Sequence, residues 1–126
     1  MNSPKWVRVY LAITGLMALL FSTLGYLQPQ LQFGTWEAIG AVGATSLAGP
    51  LGVYLARNVA TVVVSGFAAM DATTSALRAA LLLRACTDGL DAVHNILANN
   101  MPAVGFAAVM FAVDVGALVA VGKKSL

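Results

Sequence analysis

Residues 77–95 read LRAALLLRACTDGLDAVHN, an apolar helix-former interrupted by Arg84, Asp88, Asp91 and Asn95. Those four recur at i, i+4, i+7 and i+11, so on a helix turning about 100° per residue they share a stripe roughly 60° wide. Leu82, Leu83, Cys86, Leu90, Val93 and Leu97 cover the other faces. An amphipathic helix of a soluble protein carries a wide polar face opposite its apolar one. A mostly apolar helix with one narrow ionisable stripe instead fits a membrane helix whose charges face other protein or a water-lined cavity. The stripe therefore demands partner helices.

Composition agrees. Of the 126 residues, 60% are hydrophobic and 10% charged, with a mean hydropathy of +0.85. Soluble domains carry about a quarter charged residues, so lipid is the expected solvent. At about 20 residues per crossing, the length allows four spans and leaves no room among them for a separate soluble domain. The net charge of +2 is small. No basic patch with interleaved aromatics exists to bind nucleic acid. Cys86 is the single cysteine; it lies opposite the charged stripe and reads as a small packed hydrophobe.

The expected fold is all-α, a bundle of four transmembrane helices forming one domain over residues 1–126, with spans at 9–27, 51–70, 76–98 and 103–121. Val9 to Leu27 is uncharged and matches one crossing. Its competitor, a cleaved secretory signal, is disfavoured because Leu24 to Leu27 continue the apolar run. Gly15, Ala18, Ser22 and Gly25 give this helix a small-residue seam. A long extracytoplasmic loop is expected between the first two helices, with Trp36 and Glu37 at the interface. Within it, residues 38–48 suit an interfacial helix, a re-entrant cap or an early start to the second span with Pro50 as a kink. Hydroxyls of the Asp71–Ser75 turn can cap the third helix. Asn99, Asn100 and Pro102 mark a tight turn into the fourth, which has its own seam of Ala108, Ala112 and Gly116.

Threading four spans in order puts Lys5, Arg8, Arg78, Lys123 and Lys124 on one side, and no Lys or Arg on the other. The positive-inside rule then places the protein in the cell membrane with both termini in the cytoplasm.

Depths follow from the helical rise. Counted from the outer face, Arg57 and Asp91 lie about 9 Å deep, Asp88 about 13 Å, Asp114 about 16 Å and Arg84 about 20 Å. Each charge facing lipid alone costs roughly 2.5–3.5 kcal/mol, and a small domain has a net stability of only about 5–15 kcal/mol. The five must converge. Depth pairs Arg57 with Asp91; Arg84 reaches Asp88 at i+4 and Asp114 across to the fourth helix. That leaves Asp88 beside Asp114, and three carboxyls to two guanidiniums. Adjacent carboxylates in a low dielectric do not readily both ionise, so a shared proton is expected, with Asp114 as the group relieved of charge; water or a further partner would relieve the same excess. Asn58, Thr61, Thr87 and Asn95 are placed to line the same region.

His94 has no second His and only Cys86 as a thiol, so an interfacial role fits better than a metal. Tyr10, Tyr26, Tyr54 and Trp6 fall near span ends, as an aromatic belt would. No nucleophile elbow, phosphate loop or cofactor motif appears.

The segments LGVYLARNVATVVVSGF and ALRAALLLRACTDGLDAV resemble small bacterial four-helix membrane proteins of the DoxX-like kind and related uncharacterised families. The matching positions are Arg57, Asn58 and Gly66, then Arg84, Asp88, Gly89 and Asp91. The resemblance covers about the second half of the chain and implies a four-helix bundle in the cytoplasmic membrane. It assigns no activity.

The leading functional expectation is a pocket lined by Arg57, Asn58, Arg84, Asp88, Asp91, Asn95 and Asp114 that binds a small hydrophobic ligand or handles protons. Its rival is an accessory subunit that packs on a larger membrane complex, its charges serving only to join helices. Outward-facing seams on the first and fourth helices would favour the rival. An enzyme, for instance a quinone-linked redox partner, ranks third for want of a cofactor motif.

Overall fold

The computed structural model of the chain describes residues 4–28, 50–71, 73–97, 99 and 101–123, and for residues 25, 26, 50–55 and 123 the backbone alone. The described residues form four helices and no strand: α1 (Lys5–Leu27), α2 (Pro50–Asp71), α3 (Thr74–Leu97) and α4 (Met101–Lys123). The helices exceed the expected spans at most ends. α1 begins at Lys5, four residues before the uncharged run, because Lys5, Trp6 and Arg8 are as compatible with a helix as the residues after them. The expected long loop with Trp36 and Glu37, the segment 38–48, the Tyr26 and Tyr54 side chains and Lys124 lie outside the described residues.

The connections follow from local chemistry. Thr73 caps α3, its Oγ1 accepting from the Ala76 N–H at 3.3 Å, in the geometry of a threonine N-cap. Asn99 turns the chain into α4 with a φ of 56°, a left-handed conformation that asparagine tolerates better than most residues. Pro102 sits at the second position of α4, where no intrahelical donor is needed.

Neighbours run antiparallel. α3 packs most extensively on α4 and α1 on α2, α2 joins the two hairpins, and α1 makes little direct contact with α4. Gly15 permits the α1–α2 approach: a Cβ there would stand 3.6 Å from the Ser65 Cβ. One end of the bundle, where α1 and α3 begin, is plugged by Val7, Leu11, Ala68, Leu77, Ala80, Leu81, Ala117 and Val121. At this plugged end Arg8 Nε donates to the Ala69 carbonyl at 2.9 Å and Arg78 Nη2 to the Gly122 carbonyl at 3.5 Å. Both arginines thus serve the last turns of neighbouring helices, where carbonyls and the helix dipole favour cations.

Two helical segments, Lys5–Leu24 and Met101–Gly122, are long and apolar enough to cross a membrane. α3 carries Arg78, Arg84, Asp88 and Asp91, which set it apart from them in composition. Large apolar side chains nevertheless point outward on all four helices, among them Leu16, Val63, Leu90 and Val109.

Candidate functional site

The two seams found in the sequence face different ways. On α1, Gly15 and Ser22 are buried and Ala18 is half-buried, so that seam closes α1 into the bundle. On α4, Ala108, Ala112 and Gly116 are all exposed, and a Cβ added at Gly105 or Gly116 would meet nothing. The rotation of α4 follows from Asp114, fully buried on the opposite face.

Asp114 anchors the interior network. Its Oδ1 accepts from Arg84 Nε at 3.2 Å and from Tyr10 Oη at 2.7 Å. The Arg84 guanidinium also lies over the Tyr10 ring, 5.5 Å from its centre, within cation–π range. Along α3, Arg84 Nη2 stands 3.8 Å from Asp88 Oδ2. That is an ion-pair separation, too long for a hydrogen bond. The Asp88 and Asp114 carboxyls thus both border the Arg84 guanidinium, and neither Oδ2 accepts a hydrogen bond from a described donor.

A second pair sits further from the plug. Arg57 on α2 grips Asp91 on α3 with both terminal nitrogens, Nη1 to Oδ1 at 2.5 Å and Nη2 to Oδ2 at 3.1 Å. This bidentate geometry is the one a planar guanidinium and a carboxylate favour. The pairings expected from depth and spacing, Arg57–Asp91, Arg84–Asp88 and Arg84–Asp114, are all present.

Beyond the plug the helices line a cavity of about 340 Å³ that is open on one side. α2 and α3 supply its polar wall, Arg57, Asn58, Thr61, Arg84, Thr87, Asp88 and Asp91; α1 and α4 supply Met17, Ala18 and Phe21, then Phe106 and Met110, with Thr14 as the one polar residue on that side. The volume falls in the range of small-molecule sites, about 300–1,000 Å³. Met17, Phe21 and Phe106 are each more than two-fifths exposed, so the apolar side of the cavity reaches the outer surface of the described bundle. Among the described residues no group of three or more His, Cys, Asp or Glu is arranged to hold a metal ion.

Three expectations need correction. Asp114 neither lines the cavity nor is the carboxyl left over: it is fully buried and takes two donors, whereas Asp88 on the cavity wall has only the distant Arg84 Nη2. Tyr10 is no belt residue, since its hydroxyl points inward to Asp114. Its signal in the sequence was its place, one helical turn before Thr14. Asn95 does not line the cavity; its Nδ2 donates to the Asp91 carbonyl at 2.8 Å. Cys86 is exposed and His94 is exposed near the end of α3, both apart from the cavity.

Comparison with family models, with curated proteins and with solved structures finds no match to this chain.

Proposed function

We propose that this is a small integral membrane protein of the cell membrane, of the DoxX-like kind, that crosses the bilayer four times and binds a small hydrophobic molecule in an intramembrane pocket. The four-span arrangement is supported by apolar side chains facing outward on every helix and by ionisable groups turned inward on α2, α3 and α4. In lipid such groups gather where protein or water can meet them. Lys5, Arg8 and Arg78 at the plugged end support a cytoplasmic position for that end.

The observation that carries the ligand reading is the cavity itself, apolar on one side and charged on the other, drawn from all four helices. Ion pairs that served only to fix helix register would suit a dry, filled centre. Phenylalanine and methionine walls favour a ligand over a bare proton path, which needs water along its length. Native mass spectrometry of the purified protein tests this. A small molecule retained by the wild type should be lost from Ala18→Phe, which fills the cavity from α1 while α2 and α3 keep their charges. A wild-type chain that carries no small molecule from a native membrane extract would remove the support for this reading.

The accessory-subunit reading is favoured by one observation, the outward stripe of Gly105, Ala108, Ala112 and Gly116 on α4. Small residues let helix backbones approach closely in lipid. The two readings are compatible, because none of the stripe residues lines the cavity.

A further inference from the structure

We infer that the molecule held in this cavity is a lipophilic amine in its ammonium form, with Asp88 as its counter-ion. This rests on the reading of the cavity as a ligand site and concerns which chemistry it selects.

The first argument is charge. Arg57 is engaged in two bonds to Asp91, and Arg84 Nε is bonded to Asp114. Asp88 remains, with one guanidinium nitrogen at 3.8 Å; its Oδ2, like that of Asp114, is buried and accepts no hydrogen bond, but Asp88 alone of the two lines the cavity. Two guanidiniums against three carboxyls leave the network one positive charge short, with Asp88 and Asp114 sharing Arg84 and Asp88 at the cavity wall.

The second argument is hydrogen-bond polarity, and it is independent of charge. Three threonines line the cavity, one on each of α1, α2 and α3. Each spends its hydroxyl proton on its own helix: Thr14 on the Tyr10 carbonyl at 2.8 Å, Thr61 on Arg57 at 3.0 Å and Thr87 on Leu83 at 2.9 Å. A hydroxyl with its proton committed has only lone pairs to offer. The three hydroxyls thus offer acceptors alone, which suits a ligand rich in N–H donors. A carboxylate or phosphate ligand would face these acceptors and the Asp88 carboxyl beside them.

The third is the apolar side. Phe21 and Phe106 with Met17 and Met110 suit a hydrocarbon or aromatic body, and aromatic faces attract cations once water is excluded. α1 and α4 make little direct contact, so an amphiphile dissolved in the bilayer has a lateral route to the site.

The full chain, purified and reconstituted in lipid nanodiscs, is titrated by calorimetry with phenylbutylamine, phenylbutanol and phenylbutyrate, with empty nanodiscs subtracted. The ammonium compound should bind at least about tenfold more tightly than the alcohol, and the anion least well. Asp88→Asn should abolish the amine's advantage while holding the alcohol within about twofold. The comparison among ligands on the wild type stands even if that variant folds poorly. Equal binding of amine and alcohol would mean that Asp88 is balanced by a proton; the inference falls and the ligand pocket remains. Tightest binding of the anion also overturns it, since the guanidiniums would then govern the site. Binding of none of the three removes both this inference and the pocket reading beneath it.

Discussion

Tyr10 Oη donates a 2.7 Å hydrogen bond to Asp114 Oδ1, linking the first helix to the last across 104 positions of chain. α1 and α4 have little direct contact otherwise, so this bond and the apolar plug beside it close the bundle. Tyr10→Phe keeps the ring beside Arg84 and removes only the donor. Hydrogen bonds to charged groups contribute about 1.5–3 kcal/mol, so the variant should unfold at a lower temperature in a thermal scan of the purified protein. A wild-type midpoint would show that the bond adds nothing to closure.

Asp88 and Asp114 should respond to amidation in opposite senses. Asp114→Asn replaces the fully buried acceptor of two donors with a group that is half donor. It also withdraws the nearest counter-charge from Arg84, itself buried. Stranding a buried charge typically costs about 3–5 kcal/mol, so folded yield should fall sharply, Asp88 offsetting part of the loss. Asp88→Asn removes one of the two carboxyls at Arg84 and should leave thermal stability unchanged or raised. The reverse ranking of the two variants would restore Asp114 as the surplus group.

The Arg57–Asp91 pair allows a double-mutant cycle. Side-chain exposures of 36% and 33% place it between the surface and fully buried cases, so each single change to alanine should cost less than the roughly 3–5 kcal/mol of a buried pair. Both should destabilise, and the double variant should lose less than the sum of the two. Strict additivity in the unfolding free energies would mean that the two side chains are uncoupled.

Much of this network was legible in the sequence, and the reason is geometric. The i, i+4, i+7 spacing on α3 fixes a face whatever the partners are, and matching depth brought Arg57 to Asp91 without knowledge of rotation. The identity of the surplus carboxyl was not legible. It depends on how α4 turns about its axis, and α4 is apolar nearly all round, with Asp114 its one charge between Met101 and Gly122. A uniform helix gives no pattern from which to read its facing. Tyr10 was hidden for a different reason: a tyrosine near a span end suits the membrane interface and an inward hydrogen bond equally well. The seams show the same limit, since small residues mark a close approach without saying whether the approaching helix belongs to this chain.

Cys86 is exposed and apart from the cavity lining. If that face meets lipid, Cys86→Ala should leave stability and ligand retention intact, and a membrane-impermeant maleimide should label the native protein in vesicles far more slowly than the denatured chain. Rapid labelling of the native protein would place water on the side of α3 assigned to lipid and so contradict the arrangement of the bundle.

Topology tests the membrane reading as a whole. α1 and α4 satisfy the length and hydropathy of a crossing on their own, whereas α3 carries four charges, three of them engaged in the interior network. In the proposed four-span arrangement, insertion of α3 depends on α2 and α4 to shield Arg84, Asp88 and Asp91, each of which costs roughly 2.5–3.5 kcal/mol when it enters lipid alone. A reporter fused after Leu126 should score as cytoplasmic, as should one in the Asp71–Thr74 turn; one at Gln32 and one at Asn99 should score as external. The Asn99 and Asp71–Thr74 reporters decide the matter, since they flank α3. If both lie on the same side of the membrane, α3 does not cross, the four-span arrangement is wrong, and the cavity between α2, α3 and α4 cannot lie within the bilayer.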